Sequence, residues 1–311
     1  MIKLFNSIKS ILSLIIKGFS EHSLLTYAAS IAFYTIFSLP GLLIIVIITA
    51  GLFLSEGAAQ SELIDQLSKF IGSSSANSVK YIIESIHLKG DISFKTGLGI
   101  GTVIFSATTI FISLQEALNR IWDVVATPKR GFIKFLKNRI LSFGMIISLG
   151  LILLISLLLD TLLTGFFGKV ENSIGEPKSI ILGLSSLFST IIILFTVIIL
   201  VFKVLPDVKL KWKDAFLAAG ITTVLLMVGN FLIGYYIQTS DFTATYEAAG
   251  SIIIILVWVY YSTFVVLLGA EIMRAIMIHN HRPIQPADGA MKVNVQQLKY
   301  EDYISSTYEQ E

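Results

Sequence analysis

The sequence predicts an all-α, polytopic membrane protein: a bundle of six transmembrane helices with an N-terminal surface helix and a helical outer loop. Three observations carry that reading. Only 14% of the 311 residues are charged, against 54% hydrophobic, and mean hydropathy is +0.80. A soluble domain carries about 25% charged residues because water must wet its surface, so this composition fits an exterior that faces lipid. Six runs without Asp, Glu, Lys or Arg occupy 22–55, 96–115, 140–159, 179–202, 215–240 and 248–270. Each reaches the roughly 20 residues that a helix needs to cross about 30 Å of hydrocarbon. Finally, the basic residues are distributed unevenly between the connections, as a multi-pass topology requires.

Taken in order, residues 1–20 place Lys3, Lys9 and Lys17 among apolar residues at helical spacing. No cleavage site follows, so this is not a secretory signal. It reads either as an amphipathic helix on the membrane surface, its lysines toward anionic headgroups, or as a helix packed on the bundle. Residues 21–280 form the six-helix domain. The first run holds Pro40, which predicts a kink near Ser38–Pro40 because proline removes a helical hydrogen bond. The outer loop 56–95 carries Leu63, Ile64, Leu67, Phe70 and Ile71, then Val79, Ile82, Ile83 and Ile86, at helical spacing. Residues 72–77 (GSSSAN) separate the two sets as a turn, giving two short amphipathic helices. Residues 281–311 are polar with an acidic end and read as a flexible cytoplasmic tail.

Seventeen of the 23 Lys and Arg residues fall in the N-terminal segment, the connections 116–139 and 203–214, and the region after Ala270. Basic residues are retained in the cytoplasm, so both termini are expected there. Net charge is only +2, which gives no basic surface for nucleic acid. There is no cysteine, which excludes disulfides, thiol catalysis and thiolate metal sites. The histidines His22, His87, His279 and His281 are scattered, and no metal or cofactor site is expected. P-loop, GxSxG, HExxH and DxD patterns are missing. The glycines of 97–101 open a spanning run and not a βαβ unit, so they do not make a dinucleotide site.

Two groups of residues are candidates for function. The run 96–115 ends in Glu116, Asn119, Arg120, Trp122 and Asp123. In a helix, Thr109, Ser113, Glu116 and Arg120 share one face. Glu271 ends the last run in the same way, with Arg274 one turn later. Glu116, Asn119, Arg120, Asp207, Glu271 and Arg274 therefore outline a polar site at the cytoplasmic mouth, with Arg120 expected within reach of a carboxylate. The duller alternative is local ion pairing and snorkelling at helix ends. Deeper in the membrane, Tyr34, Ser38, Ser106, Thr109, Asn230 and Tyr260 are neutral polar residues that either line a cavity or bond helices together.

The segments AASIAFYTIFSLP (28–40), SLQEALNRIWDV (113–124), LPD (205–207) and AAGSIIIILVWVYYSTFVVLLGAEI (248–272) together resemble the YihY/virulence factor BrkB family, long labelled ribonuclease BN. The resemblance implies a bacterial inner-membrane protein with six transmembrane helices, and its motif positions map onto Tyr34, Pro40, Glu116, Asn119, Arg120, Trp122, Pro206, Asp207, Gly269 and Glu271. It implies no settled activity. Phosphodiester hydrolysis needs clustered metal-binding carboxylates or an acid–base pair beside a basic groove, and the cytoplasmic charges here are thinly spread. The expectation is a non-enzymatic protein that transports a small molecule or handles a lipid along a polar path between helices. The alternative is a membrane scaffold for an unknown protein partner.

Overall fold

The computed structural model describes residues 2–51, 56–71, 73–85, 109–127, 178–239 and 242–293. Eight helices and two short strands lie in these stretches: α1 (Ile2–Glu21), α2 (Leu24–Gly51), α3 (Glu56–Ile71), α4 (Ser73–Ser85), α5 (109–121), β1 (Val124–Ala126), α6 (Lys178–Val204), α7 (Trp212–Thr239), α8 (Phe242–His279) and β2 (Ala290–Lys292). Four of the uncharged runs coincide with α2, α6, α7 and α8. The run 140–159 and most of 96–115, including Ser106, lie outside the described residues.

Among the described residues, three helices are long and apolar enough to cross a membrane, at Leu187–Val204, Trp212–Tyr236 and Ile252–His279. A fourth candidate is the pair Asn6–Glu21 and Leu24–Leu39, bent by 55° at the break between α1 and α2. The break is local: Ser23 adopts a left-handed backbone with φ of 53°. Beyond it α2 continues through Pro40 as helix.

α8 is the axis of the assembly. Its 38 residues extend roughly 57 Å, and α1, α2, α4 and α7 all pack on it. The main core joins Leu24, Leu118, Ile121 and Trp122 to Phe202 of α6 and Val265, Leu267 and Met273 of α8. Trp122 is fully buried there and is not the interfacial tryptophan that its place at the end of an apolar run suggests. Close helix contact depends on small residues. A Cβ at Gly269 would overlap Thr222 Oγ1, and one at Gly229 would overlap the Tyr261 ring, so each helix lays a side chain directly on the backbone of the other.

The outer hairpin forms as two helices, but Ser73–Asn77 belong to the first turns of α4 and are not a separate turn. Ser75, Ala76 and Ser78 are buried; being small, they let α4 approach its neighbours. Val79 and Ile83 then pack on Ile255 of α8 with Ile36 and Leu39 of α2. Ile255 and Glu271 are sixteen residues apart, so this hairpin closes the end of α8 remote from Glu271.

α1 runs antiparallel along the other end of α8. Ser10 lies 3.3 Å from His279 Nδ1, a Cβ at Gly18 would overlap Glu271 Oε1, and Phe19 meets Phe264 edge-to-face at 5.9 Å. The helix is therefore packed on the bundle along one side, while Ile8, Leu12 and Ile16 stay exposed on another.

Two expectations need correction. The fold is not purely helical, and residues 281–293 are not a flexible tail. β2 pairs antiparallel with β1, Val124 opposite Lys292 and Ala126 opposite Ala290, and Val208 bridges Pro286. The polar composition of this segment reflects backbone pairing with two other connections, whose N–H and C=O groups it satisfies. Residues 294–311 lie outside the described residues.

Candidate functional site

The end of α8 that α1 covers holds a closed ring of four ionisable side chains drawn from three parts of the chain. His22 comes from the break between α1 and α2, where its N–H bonds Gly18 O at 2.9 Å. Asp123 comes from the left-handed residue (φ 53°) that terminates α5. Glu271 and Arg274 stand one turn apart on α8. His22 Nδ1 lies 2.7 Å from Glu271 Oε2, and Arg274 donates to Glu271 Oε1 at 3.4 Å and to Asp123 Oδ2 at 2.7 Å. The ring closes where His22 Nε2 faces Asp123 Oδ1 at 3.7 Å. Glu271 is fully buried and His22 is 3% exposed. Among the described residues, the Arg274 Nε is buried without a hydrogen-bond partner.

Electrostatics follow from this geometry. Burial opposes the charged form of His22, but the Asp123 and Glu271 carboxylates outweigh it and raise its pKa above the ordinary 6.5. Burial likewise opposes ionised Asp123, yet His22 and Arg274 lower its pKa to about 2. With His22 protonated, two carboxylates balance two cations and each imidazole nitrogen faces a carboxylate. With His22 neutral, the ring carries one uncompensated negative charge in a nearly dry setting, which is costly.

A second polar cluster adjoins the first, because Asn119 is one turn before Asp123 on the same segment. Asn119 Nδ2 donates to Asp207 Oδ2 at 2.9 Å and Asn119 Oδ1 accepts from the Asp207 N–H at 2.8 Å. This two-way amide contact ties α5 to the connection 205–211, which is seated in the core by Leu205, Val208 and Leu210. Residues 282–293 then lace both connections together. Ala287 N–H donates to Asp207 O, Lys209 N–H to Gln285 O, Thr127 N–H to Gly289 O and Val293 N–H to Asp123 O, all within 2.8–2.9 Å. Arg282 bonds Asp214, and Lys209 pairs with Asp288 at 2.6 Å.

Of the six residues proposed from sequence for the mouth, four are thus engaged here: Asn119 with Asp207, and Glu271 with Arg274. Glu116 and Arg120 are exposed. Arg120 is not the partner of Glu271, since Arg274 and His22 hold that carboxylate. An (i, i+4) spacing had put Glu116 and Arg120 on the solvent side of α5, opposite the buried Ala117, Leu118 and Ile121. His22 was missed as a site residue. Its signal is weak but present: it is an ionisable residue between two apolar helices, next to the end of α1. Asp123 was visible as part of the charged end of the run and was passed over.

Two of the deeper residues, Asn230 and Ser38, are engaged in bonds between or within helices. Asn230 Oδ1 accepts from Trp258 Nε1 at 2.8 Å, and the neighbouring Tyr261 OH donates to Leu225 O at 3.0 Å. Ser38, which is buried, donates to Thr35 O at 2.9 Å. Tyr34, Thr109 and Tyr260 are half-buried.

Comparison with known proteins gives a consistent result. The family model described as virulence factor BrkB matches residues 15–292, which include both polar clusters and all but the last residue of the lacing segment. A UPF0761 membrane protein of Alcanivorax borkumensis is 23% identical over 278 residues, covering 88% of this chain and 62% of its own length. A UPF0761 membrane protein of Ralstonia nicotianae is 29% identical over 185 residues, 58% of this chain and 38% of the relative. The putative ribonuclease-like protein YfkH of Bacillus subtilis is 26% identical over 275 residues, 85% of this chain and 94% of the relative. The chain therefore spans about six-tenths or less of those UPF0761 relatives and nearly all of YfkH. No solved structure matches. With its long apolar helices and this coverage, the chain is an integral membrane protein and belongs to the virulence factor BrkB family.

Proposed function

We propose that this chain is a six-span, non-enzymatic protein of the bacterial inner membrane that passes a small polar solute or a lipid along a path between its helices, with the His22–Asp123–Glu271–Arg274 ring as the gate at the cytoplasmic end. The observation that supports it is the ring itself. Ionisable groups buried beside a membrane are costly and are retained where a pathway or a moving part needs them. Here all four are paired, and they join elements that a gate would have to separate: the α1–α2 elbow, the end of α5 and the end of α8. Runs 96–115 and 140–159 supply the remaining two spans on this reading, with both termini in the cytoplasm.

Reconstituted vesicles test the function. Wild-type protein should accelerate either the loss of an outer-leaflet fluorescent lipid analogue or the release of trapped small anions or sugars, and Arg274→Gln should change that rate. Protein-containing vesicles indistinguishable from empty ones in both assays would overturn the path. The chain has no cysteine, so single cysteines test the topology without background. Ser74→Cys and Lys137→Cys should label from opposite sides with an impermeant reagent.

A scaffold role is the second reading, favoured by one observation. The midplane bonds Trp258–Asn230 and Tyr261–Leu225 fasten α7 to α8, as a bundle that only holds its shape would require. Neither reading includes cleavage of RNA. Both ring carboxylates are held by a cation of the chain itself, so neither is set up to bind metal or accept a substrate proton.

A further inference from the structure

We propose that the connection between α6 and α7 forms a binding site for the headgroup of an anionic phospholipid, made by Lys211 and Lys213 on either side of Trp212. The two flanking spans end at Val204 and begin at Trp212, so the connection sits at a membrane boundary whichever way the protein is oriented. It is held rigidly: Leu205, Val208 and Leu210 are buried in the core, and Val208 bridges Pro286. Lys211, Trp212 and Lys213 project outward, Trp212 with 54% of its surface exposed.

Charge decides which headgroup fits. The acidic groups around this face each have a cation or amide of their own: Asp207 bonds Asn119, Asp214 bonds Arg282 and Asp288 pairs with Lys209. The charges of Asp214 and Asp288 are thereby offset locally, while that of Asp207 is turned to the Asn119 amide. Lys203 donates to Leu210 O and lies 5.3 Å from the centre of the Trp212 ring, a contact that holds the indole against the connection. An exposed positive patch is left, and it is set at the head of an apolar stripe. Trp212 contacts Phe216 at 6.3 Å between ring centres and Phe216 contacts Phe195 at 5.8 Å. Val224, Val228 and Phe231 continue the exposed face down α7. A phosphodiester on the lysines and acyl chains along the aromatic stripe match this surface from end to end. Each lysine near a membrane surface favours an anionic lipid by about fivefold.

The site is independent of the gate and path described above, because it faces outward from α6 and α7. Brominated lipids test it, since bromine quenches tryptophan on contact and Trp122, in the core, is shielded. The signal is the fluorescence component that Trp212→Phe removes. In bilayers of equal composition, brominated phosphatidylglycerol should quench that component more strongly than brominated phosphatidylcholine. The preference should fall about fivefold with Lys211→Gln or Lys213→Gln and vanish with both. Both positions are exposed, and an unchanged melting temperature confirms that the fold is intact. Equal quenching by the two lipids in wild type would overturn the proposal, as would a preference that survives K211Q/K213Q. Exclusion of both lipids, with Phe216→Cys forming disulfide-linked pairs, would instead show that a second copy of the chain covers this face, and would equally end it.

Discussion

His22 Nδ1 lies 2.7 Å from Glu271 Oε2 across 249 residues of sequence, in a position where neither side chain meets solvent. This contact, with Arg274 and Asp123 completing the circuit, makes the elbow between α1 and α2 a part of the end of α8.

Removing one ring member should cost more than an ordinary ion pair. Glu271→Gln or Arg274→Gln leaves a buried opposite charge with only one of its two partners, at about 1–3 kcal/mol. The double variant should be well below additive, because the second substitution removes the charge that the first one stranded. Glu116→Gln, on an exposed side chain, should change stability by less than about 0.5 kcal/mol and add to Glu271→Gln. Thermal unfolding in detergent measures all three, and coupling between Glu116 and Glu271 would contradict the geometry.

The pH dependence has a definite sign. His22 has a raised pKa in the folded protein, so its contribution is fully present below its unfolded value near 6.5 and is lost as pH rises through the folded value. The stability difference between wild type and His22→Gln should be largest at pH 5–6 and shrink at alkaline pH. Asp123 behaves oppositely. Its folded value near 2 means that its contribution is present above its unfolded value near 3.8 and is lost as pH falls toward 2. Melting temperatures of wild type, His22→Gln and Asp123→Asn across pH 2–9 check both slopes.

Gly18→Ala should destabilise by about 1–3 kcal/mol, although alanine favours an isolated helix, because the new methyl group overlaps the Glu271 carboxylate. The loss should diminish in an Arg274→Gln background, where Glu271 is freer to shift. A Gly18→Ala protein as stable as wild type would show that α1 does not cross α8 there.

Asn119→Ala removes both contacts with Asp207 and leaves that carboxylate short of a donor, at about 1–3 kcal/mol. Because the same loop anchors 285–287, limited proteolysis should then cut between Arg282 and Val293 sooner than in wild type. Unchanged cleavage would separate the amide pair from the lacing segment.

Much of the helical framework was legible in the sequence, and for one reason. A spanning helix needs a run of about 20 uncharged residues, so α2, α6, α7 and α8 announce themselves by the absence of Asp, Glu, Lys and Arg. The polar clusters were legible only in pieces. Glu271 with Arg274, and Asn119 and Asp207 as positions in two separate segments of the family resemblance, could be named, because each stands near the end of an uncharged run. Their partners could not be assigned. The local rule that pairs residues one turn apart suggested Arg120 for a carboxylate, whereas packing turned that face of α5 to solvent and brought His22 in from the far end of the chain. The strands were invisible for a different reason: three residues of β2, Ala-Met-Lys, are too few to show any alternation, and their pairing depends on a partner roughly 165 residues earlier.

That pairing sets an order of events during synthesis. The backbone groups of Asp123 and Thr127 obtain their partners from Val293 and Gly289. At translation rates of about 5–20 residues per second, the first connection waits roughly ten to thirty seconds for the segment that closes it. Through that interval the helices can insert and pack, but the end of α5 is held on one side only. The last part of the described chain to emerge is therefore the part that locks this end of the bundle, so a ribosome stalled before Gly289 leaves an inserted protein with an unfastened mouth.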